Sequence, residues 1–187
     1  MTTKEIANNI KKVQFTNKPV IIALDGFGGA GKSTLAKELK EALGSACVVE
    51  VDDFFMIGVE SDADKSNFDR ERLRQQVLIP LRSGRPAAYQ RVLWPNDELS
   101  DFINVPDVDY IILEGVSSFH PDIAEYVDYK IWLDISGEEA KQRMIHRDRA
   151  QGEEHGELWD HWTDSYQMYK DLHQPEKQAD LVVKYRR

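Results

Sequence analysis

Cysteine is almost absent from this 187-residue chain. The one thiol, Cys47, can close no internal disulfide and offers a structural zinc no thiolate set, so a reducing, cytoplasmic setting is expected. Positive charge is also short: 24 Lys and Arg face 33 Asp and Glu, for a formal net charge of −9 at pH 7. General affinity for nucleic acid or an anionic membrane needs cationic surface, so neither is expected as a partner. A local basic cluster does occur within residues 141–149. No apolar run approaches the length that spans a bilayer, and the N-terminal MTTKEIANNIKKVQF lacks a signal-peptide core. There is no low-complexity tract, internal repeat or linker. With 41% hydrophobic and 30% charged residues, the composition predicts one globular domain over residues 1–187.

What is present is most informative at residues 26–33, Gly26-Phe27-Gly28-Gly29-Ala30-Gly31-Lys32-Ser33. The spacing is that of a P-loop, and it sits between an apolar run, Val20 to Leu24, and a helical pattern. The glycines let the backbone curl so that successive N–H groups point inward, and the following helix adds the positive end of its dipole. Gly26, Gly28, Gly29, Ala30, Gly31, Lys32, Ser33 and Thr34 are therefore the expected ATP cradle. Lys32 suits the β- and γ-phosphates, and the Ser33 hydroxyl suits a Mg2+ ion bridging them.

Periodicity along the rest of the chain alternates between strand and helix. Ile6, Ile10 and Val13 predict a short helix over 3–14, and Leu35, Leu39 and Leu43 predict one from Lys32 to the cap at Gly44. Cys47 to Val51 reads as a strand ending in Asp52-Asp53, Tyr110 to Leu113 as a strand delivering Glu114, and Tyr129 to Leu133 as another. A helix is expected over 69–81, loop over 58–68, and mostly loop from Arg85 to Pro106, where prolines interrupt any period. Ser136 with Glu139 has capping-box spacing and opens a helix to about Arg149. A polar flap over 150–157, a helix from Leu158 to His173 and a short strand at Leu181 to Val183 follow. The fold class expected is α/β: a P-loop NTPase fold with a parallel sheet of about five strands flanked by helices, plus a helical lid at about 143–157.

The P-loop alone does not name a reaction. A GTPase needs a base-reading NKxD element, and the only Asn-Lys pair, Asn17-Lys18, lies upstream of the P-loop. A motor ATPase needs more chain and further coupling elements. At Asp52-Asp53-Phe54-Phe55 the sequence resembles the uridine kinase-like P-loop kinases, a group close to nicotinamide riboside and pantothenate kinases. The resemblance runs from Ile22-Ala23-Leu24-Asp25 and the P-loop through Asn67-Phe68-Asp69, Leu113-Glu114-Gly115 and Arg143 to Asp148. It ends at Pro175 and Ala179-Asp180-Leu181-Val182-Val183, covering nearly everything after residue 19.

The resemblance implies that Asp52 orients the acceptor hydroxyl, takes its proton and lies near the metal. It implies that Glu114 helps hold Mg2+, and that Arg143 and Arg147, one helical turn apart, neutralise charge on the transferring phosphoryl group. The catalytic set is then Asp52, Lys32, Arg143 and Arg147, and the metal set Ser33, Asp52 and Glu114. Asp53, Phe54, Tyr89, Arg91 and Trp94 are the expected substrate contacts. The acceptor loop, Pro86-Ala-Ala-Tyr89-Gln-Arg91-Val-Leu-Trp94, departs from the Pro-x-Tyr-Asp element of uridine kinases, and the segment after Arg149 departs from their fuller arginine pattern. The expected acceptor is a nucleoside such as uridine or cytidine. The alternatives are nicotinamide riboside, pantothenate or another alcohol, and a nucleotide-binding regulator without turnover. Family members often associate, so the resemblance leaves room for a homo-oligomer, although no interface can be read in the sequence. His155, His161 and Glu157 lack the HExxH pattern of a metal site, and Trp159, Trp162, Tyr166 and Tyr169 read as core with a substrate-facing edge.

Overall fold

Apolar runs of strand length and capped helical segments set the architecture of the computed structural model, which describes residues 1–56, 67–94, 96 and 98–184. Helix α1 (Thr3–Lys12) starts with a reciprocal cap between Thr2 and Glu5 and buries Ile6, Ala7 and Ile10. Strand β1 (Val20–Gly26) is buried along its whole length, as a central parallel strand must be. Helix α2 (Lys32–Leu43) follows the P-loop directly, with Leu35, Leu39 and Leu43 inward and Gly44 at its end. Strand β2 (Ala46–Glu50) runs into a 3-10 turn, Val51–Phe54, which carries Asp52 and Asp53.

The helix expected over 69–81 is a composite. Helix α3 (Arg70–Leu73) passes into a π-helical stretch (Arg74–Leu78) and then α4 (Ile79–Arg82). Pro80 has no N–H to donate, and its ring crowds the carbonyl four residues back, at Gln76 inside the widened stretch. The loop expected at 58–68 lies mostly outside the described residues, though Phe68 bridges to Phe55.

Between Arg85 and Pro106 the chain is more ordered than its pattern predicts. Strand β3 (Ala88–Tyr89), strand β4 (Val92–Leu93), strand β5 (Glu98–Leu99) and strand β6 (Ile103–Asn104) form two antiparallel ribbons, β3 with β6 and β4 with β5. Two-residue strands are too short to show an alternating period.

Strand β7 (Tyr110–Glu114) and strand β8 (Tyr129–Leu133) match expectation, as does helix α5 (Gly137–Ala150), whose N-terminus is capped by the Ser136 hydroxyl. Helix α6 (Leu158–His173), helix α7 (Pro175–Gln178) and strand β9 (Leu181–Val183) complete the chain. The main sheet has the order β2-β7-β1-β8-β9 and is parallel throughout. Alternation along β1 splits the core. Val20, Ile22 and Leu24 pack with Leu35 and Leu39 of α2, Ile21 packs with Leu73 and Val77 on the opposite face, and Ala23 packs beside Ala140 and Tyr169 of α5 and α6. Among the described residues no helix is long and apolar enough to cross a membrane.

Candidate active site

Strand register brings the chemistry to one edge. Leu24 of β1 and Glu50 of β2 both lie level with Glu114 of β7, so the P-loop, the Asp52 turn and Glu114 leave the sheet side by side. Beyond them opens a cleft of about 1280 Å³. Gly28, Gly29, Gly31, Lys32, Ser33 and Thr34 line it, whereas Gly26 and Ala30 are buried beneath. The Lys32 ammonium donates to the Gly26 and Phe27 carbonyls at 3.0 Å each, which draws the side chain back along the loop. Gly115, with φ 152, passes so near the Asp52 turn that a Cβ there would lie 2.5 Å from the Val51 side chain.

Two carboxylates face this nest. Asp52 is open to the cleft, but protein surrounds the cleft, and that desolvation raises its pKa against the opposing pull of Lys32 and Arg147. Glu114 is 7% exposed and is pushed up to about 7. Burial is the main cause; Lys32 opposes it, Asp52 and Glu50 add to it, and a hydrogen bond from the Ser33 hydroxyl opposes it. Lys32, Ser33, Asp52, Glu114 and Arg147 therefore converge. The hydroxyl and two carboxylates are hard oxygen donors with an unmet demand for positive charge, a set that fits Mg2+.

Helix α5 covers the P-loop directly. A Cβ on Gly29, where φ is 80, would run into the Ala140 carbonyl. Arg143 and Arg147 both line the cleft, Arg143 paired with Glu139 at 2.6 Å and Arg147 with Asp148 at 2.7 Å. Asp148 is buried and also accepts from the Trp159 indole N–H at 2.8 Å, so it orients Arg147 rather than reaching a ligand. His155 stands 3.3 Å from Glu153 and 3.9 Å from the committed Asp148, while His161 lines the cleft separately.

Helix α6 divides its aromatics as core with an open edge, Trp159 being buried and the others meeting the cleft. Trp162, Ser165, Tyr166 and Tyr169 all line the cleft. A Cβ on Gly28 would lie 2.8 Å from the Tyr166 ring, and Tyr166 is near enough to Asp52 for that carboxylate to add to the rise in its pKa, which burial dominates.

The expected acceptor contacts divide. Of the Phe54-Phe55 pair, Phe55 lines the cleft, whereas Phe54 is fully buried and stacked on Tyr89 at 5.2 Å. Phe54 is thus a packing residue. Tyr89 is buried too, its hydroxyl donating to Asp53 at 3.0 Å, and Arg91 is exposed. Asp53, Tyr89 and Arg91 are not among the described residues that line the cleft. Trp94 does line it, edge-on to Phe55 at 4.9 Å, and Asn67 and Phe68 complete that end. Asn67 and Phe68 carried no expected ligand role in the sequence, their one signal being loop position, whereas Tyr166 stands on the substrate-facing edge expected of the α6 aromatics.

A five-stranded parallel sheet with a glycine-rich phosphate nest, facing carboxylates and an arginine-bearing helix over the nest defines a P-loop kinase. The sequence model of the phosphoribulokinase / uridine kinase family matches residues 21–186, and the chain belongs to that family. It is similar to the uridine kinase of Clostridium botulinum (strain Langeland / NCTC 10281 / Type F), 28% identical over 89% of this chain and 88% of that protein. The uridine kinase of Bacillus mycoides (strain KBAB4) is 26% identical over 90% of this chain and 86% of its own length. The fold matches that of a possible uridine kinase from Bacillus stearothermophilus with a TM-score of 0.74, 21% identity and 97% coverage of both chains. Membership makes this chain a phosphotransferase of the small-molecule kinase type.

Proposed function

We propose that the protein is an ATP- and magnesium-dependent kinase that moves the γ-phosphoryl group to a hydroxyl of a nucleoside such as uridine or cytidine. The convergence of Lys32, Ser33, Glu114 and Asp52 at one cleft carries this reading. The P-loop N–H groups and Lys32 hold the phosphates. Ser33, Glu114 and Asp52 would hold Mg2+, which neutralises phosphate charge when bound. Asp52 orients the acceptor hydroxyl and takes its proton as the new O–P bond forms and the bond to the departing ADP breaks. Its raised pKa suits it to that transfer. Arg143 and Arg147 offset charge on the group in transit.

The acceptor end favours an uncharged, flat molecule. Phe55, Phe68 and Trp94 offer faces and edges for stacking, and Asn67 offers an amide. Lys32, Arg143 and Arg147, the Lys and Arg side chains among the described lining residues, belong to the P-loop and α5. That distribution supports a nucleoside over a carboxylate-bearing alcohol such as pantothenate.

Asp52→Asn is expected to keep ATP binding within a few-fold while lowering phosphotransfer by about 10²–10⁴. Titration of ATP and steady-state kcat/KM on uridine, cytidine, nicotinamide riboside and pantothenate check this. Full activity in the variant would remove Asp52 from the role, and turnover confined to pantothenate would replace the acceptor.

A further inference from the structure

Asp25, the last residue before Gly26 in β1, is fully buried and does not line the cleft. Its Oδ1 accepts from the Gly26 N–H at 2.7 Å and the Ser117 N–H at 2.9 Å, and its Oδ2 accepts from the Tyr169 hydroxyl at 2.8 Å. The three donors belong to the start of the P-loop, the turn that follows Glu114, and helix α6. Burying a carboxylate this deeply is costly, and burial pushes its pKa up to about 6 against the opposing pull of Tyr169, Gly26, Lys32 and Ser117. Filling space alone would not require an acid there.

The turn it holds is strained. Ser117 is a non-glycine residue at φ 60, and the hydroxyls of Ser117 and Ser118 find no hydrogen-bond partner among the described residues. The turn is fastened through the Ser117 N–H, to Asp25. On the other side, Tyr169 stacks on His120 at 6.0 Å, and one helical turn earlier Tyr166 lies against the P-loop near Asp52. Trp162, a further turn back, lines the same cleft.

We infer that Asp25 is a positioning residue whose three hydrogen bonds fasten helix α6 to the start of the P-loop and to the turn after Glu114, which sets Tyr166 against Gly28 and beside Asp52, so that it governs acceptor binding at Asp52 without touching the acceptor. The kinetic part of this inference rests on the proposed kinase activity.

Tyr169→Phe removes one hydroxyl and leaves the ring in place. It is expected to lower kcat/KM for the acceptor about 10-fold, chiefly through KM, while the Kd for MgATP changes by less than about two-fold. Asp25→Asn should have an effect at least as large, and the double variant should be no worse than Asp25→Asn alone, because both changes break one linkage. A purely packing role would leave every KM unchanged, and additive losses would mean that the two residues act separately; either result overturns the inference. If Asp25→Asn does not fold, Tyr169→Phe alone decides. Amide hydrogen exchange provides a readout that needs no turnover. In Tyr169→Phe, protection should fall both in α6 and in the turn at 115–120, and a loss confined to α6 contradicts the linkage. If the unmodified protein phosphorylates nothing, the proposed function fails while the exchange result still stands or falls by itself.

Discussion

At Glu114, solvation and the proposed metal-holding role pull in opposite directions. Its folded-state pKa of about 7 lies above the ordinary 4.5, so between those values the folded protein keeps a proton that the unfolded chain releases. Raising the pH through that window therefore costs stability, and the cost is complete above about 7. Glu114→Gln is expected to be more stable than the parent at pH 8 by of order 1–3 kcal/mol, which is about 2–4 °C in Tm per kcal/mol for a chain of this size. The gain should shrink by more than half at pH 5.5, while phosphotransfer falls at both pH values. Thermal melts at the two pH values check this; a Tm difference independent of pH would contradict it. Residue by residue, local spacing was the readable part of the sequence. The P-loop from Gly26 to Ser33 states its geometry within eight positions. Phe54 and Phe55 could not be told apart, because only the 3-10 turn decides which of two adjacent rings enters the core and which meets the cleft. Tyr89 carried a polar tip suited to a substrate, but the hydroxyl is committed to Asp53, a contact 36 residues away in sequence.

Elements are held at the proposed acceptor end by Arg72 of α3. Its guanidinium donates to the Phe55 carbonyl at 3.1 Å, the Asp53 carbonyl at 3.4 Å and the Gln90 carbonyl at 2.5 Å, and it pairs with Asp69 at 3.4 Å. One side chain thus ties the turn bearing Asp52 to the ribbon that leads to Trp94. Lysine cannot reproduce a planar fork with several donors. Arg72→Lys is expected to raise the acceptor KM about 10-fold and to change the MgATP Kd by less than about two-fold, which isothermal titration and initial rates would show; an unchanged acceptor KM would remove Arg72 from that role. The strands of five or more residues and the capped helices were readable because each repeats its pattern several times. The β3 to β6 ribbons and the π-helical stretch before Pro80 were not, since neither lasts long enough to leave a period. The period of Trp159, Trp162, Tyr166 and Tyr169 marked a core face of α6 with a substrate-facing edge but could not say which rings form that edge.

Across the whole molecule, the proposed function depends on strand order. The sequence β2-β7-β1 in space places three chain-distant segments, Asp52, Glu114 and the P-loop, at neighbouring strand ends. Alternating strands and helices predicted a parallel sheet, but the order depends on where each crossover returns, which no local pattern records. The net charge of −9 conceals a cleft lined by Lys32, Arg143 and Arg147. Composition spoke against polyanionic macromolecules and left room for a small polyphosphate. The central claim is that this cleft transfers phosphate to a nucleoside. Its most direct test is to incubate the protein with ATP, Mg2+ and an equimolar pool of uridine, cytidine, nicotinamide riboside and pantothenate, and to identify by mass spectrometry which compound gains one phosphate. The account predicts a pyrimidine nucleoside monophosphate that is absent when Asp52→Asn replaces the parent. Phosphorylation of pantothenate alone, or bound ATP with no phosphorylated product, would contradict it.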